Sequence, residues 1–282
     1  MDAIPTYDQV IASKTLDDDA LQHEFNKLVR YKPKLTSRCF AGNSILYHFQ
    51  LDNLCRVKSA GAKHSFYEIM NDDTLRAEWW AKINKYANGS RPNKPAVRMF
   101  EIYRRLTGPV VFFKPTIAMN IYSQVKATHV LDPCAGWGGR MLGAMAMNIE
   151  YTGIDTNTDL KDAYDGMSMF GDFTMIWDDA LNVDFADIDY DCVLTSPPYI
   201  NLEVYPHMTP WESKRKFYAD FLIPLITKCR THIKRGGKVC FNISTTMYDE
   251  LLVAGYEPCK EQIPMLQQKI RGKDKADMVY VW

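Results

Sequence analysis

From about residue 128 onward, short apolar segments alternate with segments of helix length, and this alternation constrains the fold more than any other feature of the sequence. The pattern predicts an α/β fold with a parallel sheet, because each helix returns the chain to the edge where the next strand begins. The predicted strands are 129–132, 151–155, 173–177, 192–195 and 238–242, with 278–282 as a last strand. In open α/β sheets ligands bind beyond the carboxyl ends of the strands, so the loops after these strands are the predicted location of any chemistry.

The first 110 or so residues follow a different pattern, which predicts mainly helices joined by irregular connections. Apolar residues at helical spacing predict a helix over 74–87 and a second helix that starts at Pro95. A chain of 282 residues accommodates one large domain or a core with an appendage. We therefore predict a mainly helical N-terminal region over 1–110 and a catalytic domain over 111–282.

The charged residues are segregated along the chain, although the 34 Lys and Arg balance the 34 Asp and Glu. Residues 1–110 carry 17 basic and 12 acidic side chains, for a net charge of +5. Residues 111–210 carry 4 basic and 14 acidic side chains, for a net charge of −10, and residues 211–282 carry 13 and 8, for a net charge of +5. The basic flanks suit contact with phosphate, while solvated helix faces are the alternative explanation.

The seven cysteines and the lack of a long apolar run indicate an intracellular protein. No two cysteines have the C-x-x-C spacing of a zinc ribbon or a redox pair, so neither a metal site nor a disulfide is predicted. No apolar run approaches the ~18 residues that cross a bilayer, and the first residues lack the basic and apolar parts of a secretory leader. We expect an intracellular protein, cytoplasmic or nucleoid-associated, with no membrane partner.

A glycine-rich turn follows the first predicted strand, at residues 133–139. Glycine there lets the backbone approach a ligand closely, and the next helix directs its first N–H groups toward it. The second strand ends at Asp155, which can accept hydrogen bonds from both hydroxyls of a ribose. The third strand is followed by Asp178-Asp179, which suits the amino group of an adenine. Together the three loops predict a nucleoside ligand.

The fourth strand ends in the tetrapeptide Ser196-Pro197-Pro198-Tyr199, the most specific signal in the chain. The amino nitrogen of adenine or cytosine is a poor nucleophile because its lone pair is delocalised into the ring. The Ser196 hydroxyl and the Pro197 carbonyl can both accept hydrogen bonds from this NH₂ group, which directs the lone pair toward a methyl donor. The prolines fix the backbone in advance, and Tyr199 can stack on a base flipped out of its helix. A Pro-Pro turn after a buried strand is the structural alternative.

The turn 132–138 resembles the D-P-x-x-G-x-G motif of S-adenosylmethionine-dependent methyltransferases that modify amino groups of nucleic-acid bases. Their (D/N/S)-P-P-(Y/F/W) motif is similar to residues 196–199, and their F-x-K-P-type segment to residues 112–115. The resemblance implies a Rossmann-like class I methyltransferase fold, with a central, mostly parallel seven-stranded sheet. It also implies S-adenosyl-L-methionine as cofactor, with ribose held by Asp155 and adenine by Asp179. The implied cofactor contacts are Phe113, Lys114, Pro115, Asp132, Pro133, Ala135, Gly136, Gly138, Asp155 and Asp179.

The implied substrate is a DNA base, with RNA as a further nucleic-acid partner. In this family serine in the first tetrapeptide position is met most often in cytosine-N4 enzymes, so cytosine-N4 is slightly favoured over adenine-N6. Cytosine-C5 chemistry, which needs a nucleophilic cysteine after proline, is disfavoured because neither Cys134 nor Cys259 follows the fourth strand. An RNA-base or protein-glutamine methyltransferase and an inactive nucleic-acid-binding subunit are the alternatives.

Only about 80 residues follow the tetrapeptide and the sheet uses most of them, so target recognition is expected from residues 1–110. Basic clusters in that region and a loop with aromatics and cations after residue 200 fit contact with a nucleic-acid strand. His207 in that loop is not needed as a general base, since the amino proton can leave after methyl transfer. The candidate nucleic-acid contacts are Arg30, Lys32, Lys34, Arg91, Arg98, Tyr205, Trp211 and Lys214.

Overall fold

The computed structural model describes residues 3–35, 39–59, 62–86, 94–108, 110–200, 203–204, 211–270 and 273–282. The strands in these ranges are β1 (Lys58–Ser59), β2 (His129–Asp132), β3 (Glu150–Ile154), β4 (Thr174–Ile176), β5 (Cys192–Thr195), β6 (Glu203–Val204), β7 (Lys238–Ile243), β8 (Glu261–Ile270) and β9 (Lys273–Val281). The α-helices are α1 (Tyr7–Ala12), α2 (Asp18–Val29), α3 (Asn43–Arg56), α4 (Phe66–Met70), α5 (Asp73–Tyr86), α6 (Pro95–Thr107), α7 (Pro115–Val125), α8 (Gly139–Ala146), α9 (Lys161–Met167), α10 (Lys214–Phe217), α11 (Ile223–His232) and α12 (Thr245–Val253).

Seven strands form one sheet in the order β4-β3-β2-β5-β7-β9-β8. Neighbours from β4 to β7 are parallel, whereas β9 is antiparallel to both β7 and β8. This is the central, mostly parallel seven-stranded sheet of the predicted Rossmann-like fold. The five predicted parallel strands and the last strand are all present, with bounds that differ by a few residues. The sequence pattern did not predict β8, which pairs with β9 in a hairpin that closes at Ile270 and Lys273.

The two faces of the sheet are covered by separate apolar cores, because side chains alternate between the faces along each strand. On β5, Cys192 and Leu194 face the core that includes α7 and α8, while Val193 faces the core that includes α11 and α12. The strands are buried on both faces, which explains why they are almost continuously apolar in sequence. All seven cysteines are free. No helix among the described residues has both the length and the apolar character needed to cross a membrane.

The N-terminal region is mainly helical, as predicted, with α5 and α6 at the two predicted positions. Apolar residues of its helices belong to the same core as one face of the sheet, so this region packs directly on that face. A two-stranded antiparallel sheet also joins β1 to β6, in the segment that follows the tetrapeptide. The division into domains at residue 110 stays a prediction.

Helices α7 and α8 approach each other closely because glycines lie at their contact. A Cβ atom added at Gly139 would lie 1.9 Å from the carbonyl oxygen of Phe113, and one added at Gly143 would lie 2.8 Å from the carbonyl oxygen of Pro115. Both positions therefore require glycine. This contact brings residues 113–115 against the N-terminus of α8, where the glycine-rich turn ends.

Candidate active site

Four neighbouring parallel strands end at the same edge of the sheet, and each is followed by a predicted site residue. Asp132 ends β2, Asp155 follows β3, Asp179 lies shortly after β4, and Ser196 follows β5. The strands are in parallel register, with Leu131 opposite Val193 and Ile154 opposite Ile176. The topology thus brings the predicted nucleoside-binding residues and the tetrapeptide to one edge.

The backbone of the glycine-rich turn is held by hydrogen bonds on every side. The N–H of residue 134 donates to Thr195 Oγ1 at 3.1 Å, and the N–H of residue 135 donates to the Ile154 carbonyl at 3.0 Å. The N–H of residue 136 donates to Asp155 Oδ2 at 2.7 Å. The carbonyl of Gly136 accepts from the Tyr164 hydroxyl at 3.0 Å, and that of Trp137 accepts from Gln50 Nε2 at 3.4 Å. The turn is therefore fixed before any ligand binds, with Gly136 and Gly138 in the left-handed backbone region at φ 56° and 81°.

Asp132 and Arg140 form an ion pair that is closed off from solvent. Arg140 Nε lies 2.6 Å from Asp132 Oδ2, and the Tyr151 hydroxyl donates to the same oxygen at 2.7 Å. Burial alone would lower the pKa of Arg140, but the charge and hydrogen bond of Asp132 raise this pKa above its usual value. Arg140 Nη2 also donates to the carbonyl oxygens of Cys134 and Ala135. One guanidinium thus joins α8 to both the end of β2 and the turn.

The other carboxylate oxygen of Asp132 has no partner among the residues that the structure describes. Asp132 is 0% exposed, and Oδ1 accepts no hydrogen bond from the described part of the chain. A buried carboxylate oxygen without a donor is costly, so this position favours a ligand that brings an N–H donor or a cation. The ammonium group of an amino acid meets that requirement.

Asp155 follows β3 and binds the turn through Gly136, and the pKa of its carboxyl is raised. Burial is the main cause, while hydrogen bonds from the backbone N–H groups of Asn157 and Gly136 partly offset it. Oδ1 accepts from Asn157 at 2.9 Å and Oδ2 from Gly136 at 2.7 Å, and each oxygen retains a lone pair for a hydroxyl donor. The raised pKa means that ionised Asp155 costs folding stability near neutral pH. This cost decreases as the pH falls below the raised pKa and is gone once the pH is below the ordinary pKa of an aspartate.

Asp179 lies at the exposed end of this edge. Its Oδ1 accepts from the backbone N–H of Leu181 at 2.9 Å, while Asp178 accepts from the backbone N–H of Asp179 at 2.6 Å. Nearby, the ring of Trp177 lies 5.5 Å from that of Tyr164, edge to face. Exposed carboxylates can accept hydrogen bonds from the exocyclic amino group of a base.

The tetrapeptide lies next to the turn because the Thr195 hydroxyl accepts the N–H of Cys134. The Ser196 hydroxyl donates to Oδ1 of Asn242 at 3.2 Å, Pro197 is buried, and Tyr199 is half-buried against the core of α11 and α12. Burial raises the pKa of the Cys134 thiol, so this cysteine is protonated and unsuited to act as a nucleophile.

The segment at residues 113–115 lies on the other side of the turn. The Phe113 ring is 5.0 Å from the Arg140 guanidinium, and Pro115 is the first residue of α7. Lys114 is buried, with Nζ 4.4 Å from the ring of Phe40, which is itself 57% exposed. Lys114 thus carries its charge beneath an exposed aromatic ring.

Three of the predicted nucleic-acid contacts are exposed on one segment: Arg30, Lys32 and Lys34. Asn120 of α7 holds this segment, because its Oδ1 accepts from the Tyr31 hydroxyl at 3.0 Å and from the backbone N–H of Lys34 at 2.7 Å. The basic segment therefore lies against the helix that begins at the active-site edge.

The other predicted contacts differ in their surroundings. Arg98 is only 7% exposed, donates to Asn84 Oδ1 and lies over the ring of Trp80, so it is a core residue and not a surface cation. Trp211 packs against the rings of Phe217 and Phe221, and Lys214 is paired with Glu250 at 2.7 Å. Arg91, Tyr205 and His207 lie outside the described residues.

Sequence reasoning missed the side chains that support the site: Gln50, Arg140, Tyr151, Tyr164, Thr195 and Asn242. Arg140 had a detectable signal, since it is the first long side chain after the glycines. The others act across 19 to 87 residues of sequence, and only the folded chain brings them to Asp132, the turn or Ser196.

Comparison with known proteins gives a short sequence match to a curated methyltransferase. The chain is 36% identical over 73 residues to the type II methyltransferase M.MjaVI of Methanocaldococcus jannaschii, which is 25% of this chain and 36% of that protein. The chain thus aligns with about a third of that relative. No protein-family model matches the chain.

Solved structures with a similar chain path have low sequence identity. TrmN from Thermus thermophilus aligns with a TM-score of 0.45, 14% identity and 68% coverage of each chain. A Pyrococcus abyssi tRNA (uracil-54, C5)-methyltransferase in complex with S-adenosyl-L-homocysteine aligns with a TM-score of 0.42, 13% identity, and 61% of this chain against 40% of that one. At this level the similarities carry no information on substrate.

We predict that Arg140→Met destabilises the protein by about 3–5 kcal/mol, because the Asp132 charge would stay buried without its counter-ion. Lys216→Met, which removes an exposed ion pair with Glu212, is the control and is expected to cost less than about 1 kcal/mol. Urea unfolding monitored by circular dichroism measures both values. Similar losses in the two variants would contradict this account of the ion pair.

Proposed function

We propose that this chain transfers a methyl group from S-adenosyl-L-methionine to the exocyclic amino group of a DNA base, with cytosine-N4 slightly favoured over adenine-N6. The observation that carries the proposal is the proximity of two motifs. The Ser196-Pro197-Pro198-Tyr199 tetrapeptide is hydrogen-bonded through Thr195 to the glycine-rich turn, at an edge where acidic groups also gather. The short match to a type II methyltransferase supports the same activity.

The residues around the turn suit the separate chemical groups of this cofactor. The unpartnered, buried Oδ1 of Asp132 suits the ammonium of its methionine portion. Asp155 has acceptor capacity for both ribose hydroxyls, and Asp179 for the amino group of adenine. The net charge of −10 over residues 111–210 also favours a ligand with a sulfonium and an ammonium. Phe113 and Pro115 would border the methionine end.

The reaction requires hydrogen-bond acceptors from the protein and does not require a general acid. S-Adenosylmethionine supplies an electrophilic methyl group, so that transfer forms an N–CH₃ bond, breaks the S–CH₃ bond, releases S-adenosylhomocysteine and leaves one amino proton to water. Ser196 Oγ and the Pro197 carbonyl would accept the two amino hydrogens and orient the nitrogen lone pair. Tyr199 would stack on the flipped base.

Nucleic acid would reach this edge along the basic segment that α7 supports. Arg30, Lys32 and Lys34 are exposed there and suit phosphate contacts, while Phe40 offers an exposed ring for stacking. Target recognition is assigned to the N-terminal region, because its basic segment is held against α7. Arg98 is left out of this surface since it is buried.

The first test measures which polymer and which atom receive the methyl group. The protein is incubated with labelled S-adenosylmethionine and either unmethylated duplex DNA or total transfer RNA, and the nucleosides are identified by mass spectrometry. We expect N4-methylcytosine or N6-methyladenine in DNA, and a loss of about 100-fold in Ser196→Ala, because an acceptor for the amino group is removed.

Ser65→Ala is the control for that experiment, since Ser65 caps α4 in the N-terminal region and its loss affects stability alone. Label found only on RNA would mean that the substrate is RNA and not DNA. Label in neither polymer, or full activity in Ser196→Ala, would contradict the proposal.

The second test follows cofactor binding with pH. Because the pKa of Asp155 is raised, its carboxylate is protonated at a higher pH than an ordinary aspartate, and the ribose hydroxyls then lose a charged acceptor. We therefore expect the affinity for S-adenosylhomocysteine, measured by calorimetry, to fall as the pH is lowered from about 7.5 to about 5. Asp155→Asn should bind about 10-fold more weakly at neutral pH and lose this pH dependence.

Asp184→Asn is the matched control for cofactor binding, because Asp184 also accepts a backbone N–H bond, from Ala186 at 2.9 Å, but lies outside the turn. It should retain the affinity and the pH profile of the unsubstituted protein. An affinity that stays constant or rises on acidification would overturn the role given to Asp155.

A further inference from the structure

Asn242 is a buried polar residue in an apolar strand. It is 4% exposed on β7, between Phe241 and Ile243, which are both fully buried. An amide in such surroundings is costly unless its donor and its acceptor are both satisfied. Asn242 meets this requirement: Nδ2 donates to the carbonyl of Met278 on β9 at 3.1 Å, and Oδ1 accepts from the Ser196 hydroxyl at 3.2 Å.

The direction of these bonds follows from the chemistry of the partners. The Met278 carbonyl can only accept, so the atom of Asn242 that faces it must be the NH₂ group. The amide oxygen of Asn242 therefore faces Ser196. An amide oxygen can only accept, so Ser196 must donate its single proton to Asn242. The backbone of β9 thus fixes the orientation of the amide, and the amide fixes the orientation of the hydroxyl.

A serine hydroxyl that has donated its proton has only lone pairs left for any other partner. We infer that Asn242 is a positioning residue, which makes Ser196 an obligate acceptor and so selects substrates whose reacting atom is an N–H donor. This inference rests on the proposed function and explains how the site would recognise an amino group. An exocyclic amino group can donate a hydrogen bond to the Ser196 oxygen. A ring nitrogen without a hydrogen, or a carbonyl oxygen, has no proton to donate, so its lone pairs would face those of Ser196.

The sheet register supports this role. Thr195 is opposite Phe241 in the parallel pair of β5 and β7, so Ser196 and Asn242 come next on the two strands. Asn242 is opposite Val279 and next to the Ile243–Met278 pair on the other side. The amide therefore spans the distance between the tetrapeptide and β9 from a fixed point on the central sheet, where backbone movement is restricted.

A double-mutant cycle separates positioning from structural support. Asn242→Leu has a similar volume and removes both hydrogen bonds, so we expect kcat on the nucleic acid that the protein methylates to fall about 30-fold, with unchanged affinity for S-adenosylhomocysteine. In a Ser196→Ala background the same change should have almost no further effect on kcat, because the hydroxyl that Asn242 orients is absent. Asn242→Ala serves as a second variant with smaller volume, and should show the same dependence on Ser196.

Tyr190→Phe is the matched control. It removes a buried hydrogen bond, 2.9 Å long, from the Tyr190 hydroxyl to the backbone carbonyl of Cys229. Tyr190 lies beside the end of β5 that is opposite to Ser196. This variant should lower the midpoint of thermal unfolding by an amount similar to Asn242→Leu and leave kcat unchanged. Additive losses in the Ser196→Ala background would overturn the positioning role and leave the proposed function standing. An unsubstituted protein that transfers no methyl group to DNA or RNA would overturn both.

Discussion

The buried ion pair between Asp132 and Arg140 is the interaction on which the candidate site depends. A charge pair that is removed from water is stable only when its remaining donors and acceptors are satisfied, and here nearly all of them are. Arg140 also binds the carbonyl oxygens of the turn, and Tyr151 donates to the oxygen of Asp132 that faces Arg140. The exception is Oδ1 of Asp132, which has no partner among the described residues. The pair thus holds β2, the turn and α8 together and leaves one charged acceptor for a ligand.

The N-terminal region contributes to the same site from the other side of the turn. Gln50 of α3 donates to the Trp137 carbonyl, and the Phe49 ring packs where a side chain at Gly166 of α9 would be. The basic segment that follows α2 is in turn anchored on Asn120 of α7. These contacts make the N-terminal region part of the structure that supports the glycine-rich turn. A cofactor site fixed in advance reduces the ordering that ligand binding must otherwise impose.

The sequence predicted the sheet and the strand ends well, because both depend on local information. Buried parallel strands are continuous apolar runs, and a polar residue directly after such a run lies at the carboxyl edge whatever the rest of the chain does. Strand β8 was missed because it contains Pro264 and several glutamines, which a central strand would not tolerate but a strand at the sheet edge does. The prediction that Arg98 contacts nucleic acid was wrong, because the sequence of a helix with basic residues does not reveal which of them lie on its buried face. Asn242 could not be found from sequence, since its partners lie 46 and 36 residues away and only the β5-β7-β9 order brings them together.

A crystal structure of the protein with S-adenosyl-L-homocysteine would show whether the cofactor binds at the glycine-rich turn. We expect the ligand at the carboxyl edge of β2 and β3, with its ammonium on Oδ1 of Asp132 and its ribose hydroxyls on Asp155. Its sulfur would then face Ser196, whose hydroxyl still donates to Asn242. A ligand bound elsewhere, or one whose sulfur is turned away from Ser196 while Asp132 Oδ1 stays without a donor, would contradict this expectation.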